Sequence, residues 1–91
     1  MGDDGLTYKI RGAIFRVHSK LGPGLLENVY HAALLFELSE LGLKVCSQVT
    51  LPVLYKGIEL NTGFRIDLLI EESIIIEIKS RPFMMFIRSN Y

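Results

Sequence analysis

Three charged residues with the chemistry of a hydrolytic site lie in the most apolar part of the chain. Asp67, Glu77 and Lys79 occur within residues 64–80, a segment otherwise rich in isoleucine and leucine. An unpaired carboxylate is costly to bury, whereas two carboxylates can share a hard cation such as Mg²⁺. A neighbouring lysine can neutralise charge that develops on a phosphate. The segment is therefore a candidate for metal-dependent phosphoryl chemistry.

The two faces of the predicted hairpin separate the apolar residues from the charged ones. Side chains alternate between the faces of a strand, so Arg65 and Asp67 share a face on the first strand. Glu77 and Lys79 share a face on the second, about 6.6–6.8 Å apart along the strand. The opposite face collects the residues predicted to form the core: Ile66, Leu68, Ile70, Ile74, Ile76 and Ile78.

The register of this hairpin decides whether the carboxylates meet. A two-residue turn would pair Ile70 with Ser73 and mix apolar and charged residues on both faces. A three-residue loop would pair Ile70 with Ile74 and bring Asp67 opposite Glu77. We expect the second register, because it keeps the apolar face uniform and a slip of one residue would reverse every side chain.

A purely structural explanation of the charged face also fits these residues. Strand faces exposed to water commonly carry Glu and Lys as ion pairs, which contribute only a few tenths of a kcal/mol. The spacing of Asp67, Glu77 and Lys79 alone therefore leaves a metal site and a solvated face as open alternatives.

Two helices are predicted before the strands. Apolar residues recur at helical spacing over residues 6–21, and Gly22-Pro23-Gly24 ends that helix. A second helix should run over residues 25–41 and stop at Gly42, which suits the position after a helix.

The periodicity then changes to that of strands. Residues 44–55 are rich in β-branched side chains, and the strands 64–70 and 73–80 follow after turn signals. Two helices followed by an antiparallel meander predict an α+β fold, with the helices packed on one face of a mainly antiparallel sheet.

Length and composition suit one small domain, residues 1–91, and exclude several function classes. Ten basic residues balance ten acidic ones, so net charge does not indicate a nucleic-acid partner. The lone Cys46 excludes an intrachain disulfide, and its strand context favours a core position. The acidic start and short apolar runs predict a cytoplasmic chain with no signal peptide and no membrane contact.

A second group of residues lies at the start of the second helix, in the sequence GLLENVY. Gly24, Glu27 and Tyr30 are spaced three apart, which brings them to one helical side. From the residues alone, Glu27 suits the positive helix N-terminus, Tyr30 suits the core, and His31 is expected on a solvated flank.

The motif GLLENVY and the segment FRIDLLIEESIIIEIKS together resemble the GxxExxY proteins, over roughly residues 8–80. These proteins are similar to the PD-(D/E)XK nuclease superfamily, whose restriction-endonuclease-like α/β core carries a metal site on a bent hairpin. The resemblance implies hydrolysis of nucleic-acid phosphodiester bonds, with DNA as the expected substrate and Mg²⁺ or Mn²⁺ as the cofactor.

The resemblance also implies roles for individual residues. Asp67 and Glu77 would be metal ligands with the Ile78 carbonyl as a third, and Lys79 would be the catalytic lysine. Glu27 would act as an accessory acid. Further residues near the site, expected to contact substrate, are Gln48 and Arg65.

The tail departs from the family pattern, which continues with a helix and further strand structure. Residues 81–91 match none of that, so the resemblance implies a C-terminally truncated domain with an atypical tail. We expect exposed apolar surface around Ile74, Ile76 and Ile78 and around residues 83–87, covered by self-association. The run 83–87 could form a short strand, a helix or a patch that joins another chain.

Two other functions remain alternatives to a nuclease. The altered tail motivates a catalytically inactive remnant that forms homo-oligomers through residues 83–87. A nucleic-acid binder without chemistry is the third hypothesis, and it is disfavoured because the chain lacks interleaved aromatic and basic residues.

Overall fold

A computed structural model of the chain describes residues 5–80 and 83–89. Its helices and strands are α1 Gly5–Leu21, α2 Glu27–Glu40, β1 Val45–Tyr55, β2 Ile58–Ile70, β3 Ile74–Ser80 and β4 Phe83–Ser89. The four described strands form one antiparallel sheet in the order β1-β2-β3-β4. The predicted α+β fold is confirmed, and it is consistent with a PD-(D/E)XK nuclease-like core.

Helix α1 forms because its apolar residues recur every three to four positions and face the sheet. The buried residues on it are Ile10, Ala13 and Val17. Its observed range differs from the predicted one by a single residue at the N-terminus.

Helix α2 begins two residues later than predicted. Gly24 adopts a φ of 97°, and Leu26 is extended with φ −70° and ψ 152°, so neither can belong to the helix. At the other end Gly42 has a φ of 78°, the left-handed conformation that favours glycine after a helix. The predicted stop at Gly42 is confirmed, and the loop over residues 22–26 leaves Glu27 as the first helical residue.

The predicted hairpin register is confirmed between β2 and β3. Ile70 pairs with Ile74 and Leu68 pairs with Ile76, which makes residues 71–73 a three-residue loop. The core lies between this apolar sheet face and the two helices. Its members are Ile10, Ala13, Val17, Tyr30, Leu34, Leu38, Leu68, Ile70, Ile76 and Ile78.

The expected exposure of the β3 isoleucines is wrong. Ile76 is 0% exposed and Ile78 is 4% exposed, because the two N-terminal helices already cover this face of the sheet. Ile74 is partly buried and packs against the same core. The opposite face is not wholly polar either, since Ile75 is also buried.

The tail forms a strand, one of the three conformations that the sequence left open. Strand β4 pairs antiparallel with β3, from the pair of Ser80 with Phe83 to the pair of Ile74 with Ser89. It is therefore an edge strand of the described sheet. The expected self-association of residues 83–87 through their side chains lies outside what the structure describes. Within the described residues, no helix is long and apolar enough to cross a membrane.

Candidate active site

The sheet is interrupted along one row of residues that crosses three strands. On β1, Ser47 pairs with Leu68 and Val49 pairs with Ile66, but the intervening Gln48 forms no such pair with Asp67. Gln48 adopts a φ of 58°, in the left-handed region that a residue with a side chain rarely occupies. The regular ladder of hydrogen bonds is therefore broken on the β1 side of Asp67.

The ladder on the other side of Asp67 also ends at this row. The β2–β3 pairing stops at Leu68–Ile76, one position before Asp67 would meet Glu77. The backbone amide of Ile78 donates instead to Oδ2 of Asp67, at 2.8 Å. The Asp67 carboxylate thus takes the place of a backbone acceptor, and a hydrogen bond to an ionised oxygen is stronger than a neutral one.

A cleft of about 340 Å³ opens beside this row, between the start of α2 and the interrupted strands. Its lining residues are Glu27, Asn28, His31, Gln48, Arg65, Asp67 and Ile78. Five of the seven residues that the sequence nominated therefore line one cleft, although they come from four different elements.

The remaining two nominated residues, Glu77 and Lys79, are not among the residues that line the cleft. They flank Ile78 in the chain, with Glu77 half-buried and Lys79 exposed. Alternation along β3 turns both away from the helix-facing side on which Ile78 is buried. The backbone of Ile78, held by Asp67, is the point at which β3 reaches the cleft.

Tyr30 holds the loop that places Glu27 at the cleft. Its buried hydroxyl donates to the carbonyl of Gly22 at 2.7 Å and accepts from the amide of Leu25 at 2.9 Å. The predicted core position of Tyr30 is confirmed, and the spacing from Gly24 to Tyr30 gains a physical reason. The tyrosine closes the turn, and the turn sets the first residue of α2.

His31 contacts the interrupted row, so its expected place on a solvated flank is wrong. Its Nε2 lies 2.8 Å from Oγ of Ser47 and 3.2 Å from the backbone carbonyl oxygen of Asp67. The imidazole thereby joins α2 to β1 and β2 at the cleft. Sequence spacing had indicated only that His31 lies one turn after Glu27, and no sequence signal pointed to Ser47 as its partner.

Arg65 and Gln48 form the exposed wall of the cleft. The guanidinium of Arg65 donates to the amide oxygen of Gln48, across the strand pair β1–β2. The left-handed backbone of Gln48 brings its side chain to this position, and an arginine has further N–H groups with which to bind a phosphate.

The groups that would hold a hard divalent cation at this row are oxygen donors. Within residues 5–80 and 83–89, no three His, Cys, Asp or Glu side chains stand close enough together to hold a metal by themselves. Mg²⁺, however, is typically held by only one or two carboxylates, with water and substrate phosphate completing its shell. Asp67 and Glu77 with the Ile78 carbonyl would form such a set of oxygens.

A comparison with known proteins identifies the family of the chain. Residues 4–87 match the family model of the PD-(D/E)XK nuclease superfamily. The chain belongs to this superfamily, whose nucleases generally use divalent metal ions and act on nucleic acids. No curated protein and no solved structure matches the chain. Membership indicates a nuclease-like function for this chain.

Proposed function

We propose that this protein is a metal-dependent nuclease of the GxxExxY group that hydrolyses phosphodiester bonds of DNA at the cleft beside Asp67. One observation carries the proposal. The carboxylate of Asp67 accepts a hydrogen bond from the Ile78 amide where strands β2 and β3 part, in a cleft that Glu27 and Arg65 also line.

The proposed cation site consists of Asp67, Glu77 and the Ile78 carbonyl. When bound, a divalent cation supplies Lewis-acid polarisation of a phosphoryl oxygen and an activated nucleophile at neutral pH. The hydrogen bond from Ile78 to Asp67 keeps the two strands at a fixed separation, which orients the Asp67 carboxylate before any ligand arrives.

The other residues act on the substrate. Lys79 contributes a mobile ammonium that neutralises negative charge on the phosphoryl group. Arg65, positioned by Gln48, binds a neighbouring phosphate with its remaining N–H groups. Glu27, at the first turn of α2, orients water or metal from the helix side of the cleft.

Metal binding is tested first, separately from catalysis. Mg²⁺ or Mn²⁺ titrated into isotopically labelled protein should shift or broaden the amide signals of Asp67 and Ile78, and Asp67→Asn should remove that response. Glu40→Gln is the matched control, because Glu40 is an exposed carboxylate at the opposite end of α2. Unchanged signals at millimolar metal would overturn the proposed site.

Catalysis is tested with labelled single-stranded and double-stranded DNA and with RNA. Glu77→Gln and Lys79→Met should each lower the cleavage rate at least about 100-fold, the loss typical of removing a group that stabilises the transition state. Glu40→Gln should cleave like the wild type. If the wild type and Glu77→Gln cleave equally slowly in Mg²⁺ and in Mn²⁺, this chain is not a nuclease.

The alternative is an inactive member of the superfamily that acts by self-association. The position of β4 favours it, because an edge strand offers unpaired backbone groups to a second copy. Sedimentation velocity over a range of concentrations tests this function. A monomer at every concentration rules it out, whereas a dimer combined with no cleavage supports it.

A further inference from the structure

Helix α1 is far more basic than the rest of the chain. It carries Lys9, Arg11, Arg16 and Lys20 and no acidic residue, while the remainder holds six basic and ten acidic residues. A chain of zero net charge therefore has one helix with a strong positive field. Arg16 forms an ion pair with Glu37 of α2, at 2.8 Å.

The same helix exposes two aromatic rings. Tyr8 is 72% exposed and Phe15 is 70% exposed, on the side of α1 opposite the buried residues Ile10, Ala13 and Val17. The two aromatic residues are seven positions apart, so their rings lie on one side of the helix, about 10 Å apart along its axis. The basic residues flank this pair, and the helix therefore presents an aromatic ridge between positive borders.

Helix α1 is close to the cleft along the chain. Helix α1 ends at Leu21, and the loop over residues 22–26 connects it directly to Glu27. Tyr30 fixes that loop through its hydrogen bonds with Gly22 and Leu25. One short loop therefore joins the C-terminal end of α1 to the start of α2, which lines the cleft.

We propose that the outer face of α1, formed by Tyr8, Lys9, Arg11, Phe15 and Lys20, binds single-stranded nucleic acid. Phosphates complement the positive borders, and unpaired bases stack on the exposed rings. The ring spacing corresponds to about three stacked nucleotides at roughly 3.4 Å each. The choice of nucleic acid rests on the proposed function, and the surface adds where and in which strand form it is held.

Aromatic and basic residues, which are not interleaved along the chain as a whole, are interleaved on this face of α1. In the linear sequence, core residues separate Tyr8 from Phe15 and obscure the pattern. In the helix the core residues lie on the buried side, and the aromatic and basic residues are neighbours on the exposed side.

The test measures binding of the full chain to fluorescently labelled poly-thymidine by anisotropy, without added metal. The double variant Tyr8→Ala/Phe15→Ala should bind about tenfold or more weakly, because base stacking on an aromatic side chain contributes substantially to such complexes. Phe36→Ala is the matched control: Phe36 is 62% exposed on α2, and its removal should leave affinity unchanged. Circular dichroism checks that each variant is folded.

The positive borders are tested by the dependence of binding on salt. Lys9→Gln/Lys20→Gln should reduce the slope of log affinity against log salt concentration by about 1.4, or about 0.7 for each lost phosphate contact on a single strand. Lys56→Gln, an exposed lysine at the β1–β2 turn, is the control and should leave the slope unchanged.

Three results would overturn the proposal. The first is wild-type affinity in Tyr8→Ala/Phe15→Ala or an equal loss in Phe36→Ala. The second is binding to anionic phospholipid vesicles without binding to the oligonucleotide. The third is loss of self-association in Tyr8→Ala/Phe15→Ala with unchanged oligonucleotide binding. If the protein cleaves nucleic acid but α1 does not contribute to binding, the proposed function holds and this inference fails. If α1 binds the oligonucleotide but the protein does not cleave, this inference holds and the proposed function fails.

Discussion

The two ends of the β2–β3 hairpin are built from opposite kinds of contact. At the turn, three successive pairs of residues join the strands, from Ile70 with Ile74 to Leu68 with Ile76. The amide of Glu71 also donates a hydrogen bond to the Lys44 carbonyl, at 2.8 Å. At the Asp67 row the pairing is lost, and side chains replace backbone partners. The first end is stabilised by burial and regular hydrogen bonding, whereas the second exposes polar groups that a ligand can use.

Positive φ values occur at both ends but for different reasons. Glu71 and Glu72 have φ values of 52° and 58° because a tight hairpin loop requires left-handed residues. Gln48 has a φ of 58° in the interior of a strand, where no turn requires it. Strain without a local structural need is characteristic of functional sites, and at Gln48 it occurs beside Asp67.

The largest expected loss of stability comes from a substitution at the turn end of the hairpin, where the side chains are buried. Ile76→Ala removes a fully buried side chain, and we expect it to lower the free energy of unfolding by about 2–5 kcal/mol. Ile58→Ala is the control: Ile58 is 66% exposed, and its effect should stay within about 0.5 kcal/mol. Urea unfolding followed by circular dichroism gives both values, and similar losses in the two variants would contradict the assigned core.

A smaller loss is expected where α2 meets the cleft. Tyr30→Phe leaves the Gly22 carbonyl and the Leu25 amide without the hydroxyl, which should cost about 1–3 kcal/mol. Hydrogen exchange at the Leu25 amide should accelerate at the same time. Tyr55→Phe, at an exposed tyrosine, is the comparison, and equal effects from both tyrosines would argue against the closure of the loop by Tyr30.

The strain at Gln48 is measured by the difference between two substitutions. Gln48→Gly should be more stable than Gln48→Ala by about 1 kcal/mol, because only glycine adopts a positive φ without steric cost. At Thr50, which lacks a positive φ, Thr50→Ala should be more stable than Thr50→Gly by about 0.5–1 kcal/mol. Alanine variants that are the more stable at both positions would show that Gln48 is unstrained.

The smallest effect concerns the exposed ion pair beside the turn. Lys44 donates to Glu72 at 2.6 Å, which lowers the pKa of Glu72 below its ordinary value of 4.5. The contribution of this pair to stability is therefore present above pH 4.5 and is lost as the pH falls through the lower pKa of the folded state.

Titration of the Glu72 carboxyl by nuclear magnetic resonance tests this effect. Lys44→Met should raise the pKa of Glu72 towards 4.5, whereas Lys56→Met should leave it unchanged. High salt should reduce the difference between the variants, since the pair is exposed to solvent. A pKa of Glu72 that does not respond to Lys44→Met would show that the two side chains are unpaired in solution.

Much of the fold was readable from local patterns. Helical spacing located α1 and α2 to within two residues, and the uniform apolar face selected the correct register between Ile70 and Ile74. Gly42 marked the end of α2 for a reason that lies in its own backbone. These features depend on neighbours a few residues apart, so their physical causes are present in any short window of the sequence.

The candidate site depended on contacts that no window contains. The meeting of His31 with Ser47, the left-handed Gln48 and the bond from Ile78 to Asp67 all arise where α2 crosses interrupted strands. Periodicity predicted that β2 and β3 pair, but it did not predict where the pairing ends. The pairing ends where the Asp67 carboxylate, and not a backbone carbonyl, accepts the hydrogen bond of the Ile78 amide. Alternation along β3 predicted that Glu77 and Lys79 share a face, and only three-dimensional packing decided which groups share the cleft.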